Sequence, residues 1–91
     1  MNPLETLVIK LNEFISLEES ESIETLGSYI VGELLGDYDG IYRGLYETNP
    51  TIQKIGDLAS DLEISNGTEE QLQGMWSEIK QLVADMSSKE K

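Results

Sequence analysis

Apolar residues in this chain recur every third or fourth position, and no alternation of period two extends over a useful length, so the pattern is helical and no sheet is expected. Leu4, Leu7, Val8, Leu11, Phe14 and Ile15 mark a first helix from Pro3 to about Ile15. Asn2 caps it, Pro3 fits its first turn and Glu5 can complete a capping box. Ile23, Leu26, Ile30, Leu34 and Tyr38 form a second stripe. Two starts compete for it, a capping box at Ser16–Glu19 and a later one at Ser22, so the helix runs from near Leu17 or Ser22 to about Leu35. Gly36 stands where a left-handed cap would end it. A short third helix is expected from about Gly40 to Glu47, capped by Asp37 or Asp39. Asn49 and Pro50 force a break and a restart, and Ile52, Ile55, Leu58, Ala59 and Leu62 mark the fourth helix. After the turn Ser65-Asn66-Gly67, Thr68 and Gln71 form a capping box for the last helix. Its stripe is Leu72, Met75, Trp76, Ile79, Val83 and Met86. Residues 87–91 are expected as a frayed tail. The fold class expected is all-α, a single domain over residues 1–91. It is read as a compact antiparallel bundle of four longer helices plus a short helical turn.

Composition changes this picture mainly through charge. Eighteen acids against six bases give a net charge of −12. From Leu11 to Tyr42 there are eight acids (Glu13, Glu18, Glu19, Glu21, Glu24, Glu33, Asp37 and Asp39) and no base. Such a field repels nucleic acid and anionic membrane and attracts basic partners. The same acids would equally serve as a solvated face that keeps the protein soluble. Cysteine is absent, which excludes disulfides and thiolate metal sites. No apolar run approaches the ~20 residues of a membrane span, and no signal segment opens the chain, so a soluble, cytoplasmic protein is expected.

Residues 36–50 read GDYDGIYRGLYETNP and invite two readings. An EF-hand loop needs oxygen ligands at its first, third and fifth positions, glycine at its sixth and a bidentate glutamate at its twelfth. With Gly40 at the sixth position, the first falls on Leu35 and the twelfth on Tyr46. With Asp37 first, the fifth falls on Ile41 and the twelfth on Thr48. Neither register makes a calcium cage, and no metal site or cofactor is expected. Tyr38, Tyr42 and Tyr46, spaced by four, would share a helix face rimmed by Asp37, Asp39 and Glu47. They read either as binding anchors or as rings half-buried over the core with wet hydroxyls.

Catalytic material is sparse. Histidine and cysteine are absent, so the usual nucleophilic triads are excluded, while a Ser-Lys pair stays open. Asp57 and Asp61, one helical turn apart, read as solvated surface rather than as a tuned acid and base. A non-enzyme is expected.

Two stretches carry resemblances. Glu21-Ser22-Ile23-Glu24-Thr25-Leu26 resembles the D-S-L-D helix start of acyl carrier proteins, which implies a phosphopantetheine arm on Ser22. It departs by glutamates in place of both aspartates, and by the short Ser16–Glu21 stretch where carriers place a long loop. The segment DLEISNGTEEQL at residues 61–72, with the acidity, the length and the run of helices, resembles the small helical immunity proteins of bacterial toxin systems, the colicin D type in particular. That resemblance implies a protein that covers the basic, RNA-binding active site of a nuclease toxin with acidic side chains. It matches no diagnostic motif residue by residue. The partner-binding set expected here is Asp37, Tyr38, Asp39, Tyr42, Tyr46 and Glu47 as local contacts, with Glu18, Glu19, Glu21 and Glu24 supplying the long-range field. The partner is a basic protein, and the free chain is a monomer. An inhibitor that imitates nucleic acid and a structural or adaptor bundle are further alternatives.

Overall fold

Five helices account for most of the described residues, and four of them begin at a side-chain cap. The structure is a computed structural model that describes residues 2–36 and 40–89. Helix α1 spans Pro3–Ile15, α2 Ile23–Leu35, α3 Ile41–Thr48, α4 Pro50–Glu63 and α5 Glu69–Lys89. At α1, Asn2 Oδ1 accepts from the Glu5 N–H at 2.8 Å. The return bond of the box comes from the Asn2 amide group rather than its backbone, donated to Glu5 Oε1 at 3.0 Å. Asn49 Oδ1 takes the N–H groups of both Thr51 and Ile52 at the start of α4. Thr68 and Gln71 make the complete reciprocal box at α5, 2.8 and 3.1 Å.

Several expectations are corrected. Of the two starts proposed for α2, Ser22 is used, its Oγ accepting from the Thr25 N–H at 3.1 Å. Ser16 instead closes α1, and its hydroxyl is turned back to donate to Glu13 O, so the Ser16–Glu19 box cannot form. Gly36 is right-handed, φ −76° and ψ −18°, because its N–H simply continues the α2 ladder to Gly32 O. Helix α3 has Gly40, not an aspartate, at its N-cap; Asp37, Tyr38 and Asp39 lie outside the described residues. Helix α5 also continues past Met86 to Lys89. The Ser87 hydroxyl donates to Val83 O and accepts from Asn12 Nδ2 of α1, a tertiary contact that holds the last turn.

The core is one cluster drawn from α1, α2, α4 and α5. Leu7, Leu11, Leu26, Ile30, Leu34, Ile52, Ile55, Leu62, Ile79 and Val83 are fully buried, the residues their helical spacing placed on one face. Helices α2 and α4 share the most extensive packing among the described residues. Gly27 permits this: a Cβ there would lie 2.8 Å from both Ala59 O and Leu62 Cβ. Helix α5 lies on α4, α1 and α2, whereas α3 touches α4, α2 and α1 but not α5 among the described residues. The Cα radius of gyration is 12.3 Å, against about 12 Å expected for one domain of this length. No helix among the described residues is long and apolar enough to cross a membrane.

Candidate functional site

The start of α2 and the start of α5 face one cleft. Its volume is about 480 Å³, and its lining is Glu18, Glu21, Ser22, Ile23, Glu24, Glu69, Leu72 and Gln73. Glu18 and Glu21 come from the turn at 16–22, Ser22–Glu24 from the cap and first turn of α2, and the rest from the first turns of α5. Leu72 is buried beneath the lining and Ile23 is half-buried, so a little apolar surface lies among four carboxylates. Of these, only Glu18 has a basic partner: Lys80 Nζ lies 3.0 Å from its Oε2. Glu21, Glu24 and Glu69 have no ion-pair partner among the described residues. Glu24 and Glu69 sit in first helical turns, where the exposed N–H groups offset part of their charge.

Glu18 is better described as an internal contact than as a free charge. Its Oε2 also accepts from the Trp76 indole Nε1 at 2.8 Å, and the Trp76 ring is 3% exposed. The indole N–H, then the Lys80 ammonium, hold the Glu18 carboxyl below the usual range. A depressed carboxyl contributes stability above its unfolded pKa and loses it as pH falls through its folded value.

The tyrosine segment lies elsewhere. Helix α2 separates the cleft from α3, and its 13 residues span about 20 Å. Tyr42 and Tyr46 are both half-buried and packed against the core. A Cβ on Gly56 would stand 2.6 Å from the Tyr46 ring, and the Tyr46 hydroxyl donates to Asp57 Oδ1 at 2.7 Å. That carboxylate stabilises the protonated phenol and raises the Tyr46 pKa. Arg43 reaches Leu35 O and lies 3.7 Å from Glu47. Residues 41–48, which a calcium loop would need as loop, are helix.

The structure therefore brings together Glu18, Glu21 and Glu24 of the expected set and adds Glu69. It leaves exposed Glu19 outside the cleft lining and places Tyr42, Tyr46 and Glu47 at the far end of α2. The two aspartates read as a pair are engaged separately, Asp57 with Tyr46 and Asp61 with Asn66 Nδ2 at 3.3 Å. Glu69 was missed because nothing local distinguishes it from Glu70; only the packing of α5 beside the start of α2 selects it. Among the described residues no group of three or more acids is arranged to hold a metal ion. No family model matches the chain, and neither a curated protein nor a solved structure matches it.

Proposed function

We propose that this is a non-catalytic, cytoplasmic acidic binding protein that neutralises a basic protein partner. Its most concrete form is a bacterial immunity protein that inhibits a nuclease toxin. The observation that carries this reading is the acidic cleft. Lysine and arginine combine an apolar stem with a cationic head. Half-buried Ile23 offers surface to the stem, and Glu21, Glu24 and Glu69 offer charge with no ion-pair partner among the described residues to the head. Four of the six bases, Lys10, Arg43, Lys54 and Lys80, each have an acidic neighbour within 4.0 Å, which reduces their competing attraction. The net field then favours association with a basic surface. We take the scaffold to be an antiparallel bundle of the four longer helices, favoured by the short connections at 16–22 and 64–68.

The test is to purify the protein with the basic product of an adjacent toxin-like reading frame. The reading expects a stoichiometric complex and loss of nuclease activity. A partner that keeps full activity in excess of this protein would contradict it. A second reading is favoured by one observation: Ser22 is exposed on the cleft rim, where a phosphopantetheine arm could be attached. Its hydroxyl is engaged with Thr25 Oγ1 at 2.9 Å. A mass gain of ~340 Da with a phosphopantetheinyl transferase would establish that alternative.

A further inference from the structure

Residues 16–22 connect α1 to α2 and supply one wall of the cleft, yet nearly everything they bond is local. The Leu17 and Glu18 N–H groups donate to Phe14 O and Ile15 O, and those of Ser20 and Glu21 to Leu17 O. The Ser16 and Ser20 hydroxyls donate to backbone carbonyls three residues back. Leu17 is 39% exposed and buries little. One group reaches across: Glu18 Oε2 takes Trp76 Nε1 at 2.8 Å and Lys80 Nζ at 3.0 Å. Among the described residues it makes the only side-chain hydrogen bonds from this turn to a helix other than α1 and α2, the two that flank it.

We propose that residues 16–22 form a strap latched to α5 by the single Glu18 carboxylate, and that its release opens the acidic cleft while the rest of the fold stays closed. The two donors have different roles. Trp76 is buried in the core and acts as a post; Lys80, with 38% of its side chain exposed, is a clasp at the surface. Opposing them, Glu21, Glu24 and Glu69 line the same cleft and repel Glu18 and one another while the strap is closed. A segment with one long-range tie and few buried contacts opens at a lower free energy than the core. A cationic group in the cleft would offset the repulsion and favour the closed strap. The inference does not depend on the proposed partner, because the opening is read on the protein alone.

The experiment is amide hydrogen exchange on the intact chain, comparing wild type with Glu18→Ala, Trp76→Phe and Lys80→Met. Loss of the latch should speed exchange at Leu17, Glu18, Ser20 and Glu21 about tenfold or more in Glu18→Ala, with α4 amides unchanged. Trp76→Phe keeps an aromatic ring in the core while deleting the indole donor, so it tests the latch even if Glu18→Ala does not fold. It should speed the same amides, and Lys80→Met should do so less. Unchanged exchange at these amides in Trp76→Phe, or acceleration spread evenly over α2, α4 and α5, would overturn the proposal.

Discussion

The two ends of α2 carry similar chemistry in sequence and opposite arrangements in space. At its N-terminal end, Glu21 and Glu24 meet Glu69 across an open cleft, none of the three with an ion-pair partner among the described residues. At its C-terminal side, several polar groups of α3 have partners within the protein. Tyr46 is bonded to Asp57, Arg43 reaches Leu35 O and Glu47, and the Tyr46 ring rests on Gly56. Charge and aromatic content alone made the second region look like a contact surface. What separates the two is whether the molecule itself satisfies the groups. Among the described residues Tyr46 and Arg43 of α3 are engaged within the protein, whereas the cleft has charges without an ion-pair partner, and such charge is what a partner can use.

Substitutions at each end of α2 test this difference. The largest effect is expected behind the cleft, where Trp76 joins the core to Glu18. Trp76→Ala should cost ~3–5 kcal/mol in denaturant unfolding, through a cavity and the lost indole bond. Unchanged stability would remove the post on which the cleft wall rests. At the other end, Gly56→Ala would push a methyl into the Tyr46 ring and should cost ~1–3 kcal/mol. If the variant is as stable as wild type, α3 is not seated on α4 as described.

Smaller effects test the polar bonds. Tyr46→Phe should cost ~1 kcal/mol at neutral pH by deleting the bond to Asp57. Because the folded pKa of Tyr46 is raised, that contribution is complete below its unfolded value of about 10 and is lost as pH rises through the folded value. The difference between the two proteins should therefore shrink in alkaline thermal melts. Glu18→Gln should flatten the acid limb of the stability curve slightly, by well under ~1 kcal/mol, since this carboxylate is partly exposed and screened. The wild-type contribution is present above the unfolded pKa of about 4.3 and fades as pH falls through the depressed folded value. An unaltered acid limb in the Glu18→Gln variant would show that Glu18 titrates as though unpaired.

The starts of α1, α4 and α5 were legible, and Ser22 was one of two starts offered for α2, because a side-chain cap is a local event. Asn2, Ser22, Asn49 and Thr68 each bond N–H groups two or three residues ahead. The buried stripes were legible because helical spacing alone places Leu26, Ile30 and Leu34 on one face. Choices that depend on distant partners were not legible. The end of α5 depends on Asn12 reaching Ser87. The position of Glu18 depends on residues 58 and 62 places away along the chain. Tyr46 was recognised as either anchor or core, and its bond to Asp57 in the next helix could not be read from spacing. Glu69 belongs to the cleft only through tertiary packing.

The central claim is that a basic partner engages the cleft rather than the overall negative field. Stopped-flow association with a lysine- and arginine-rich peptide tests this most directly, using two triple variants of equal charge change. One neutralises Glu21, Glu24 and Glu69; the other neutralises Glu5, Glu13 and Asp85, none of which lines the cleft. The account predicts that the cleft triple slows association about tenfold or more and flattens its salt dependence, while the control triple has a much smaller effect. Equal slowing by both triples would assign the attraction to net charge alone and contradict the cleft as the site of contact.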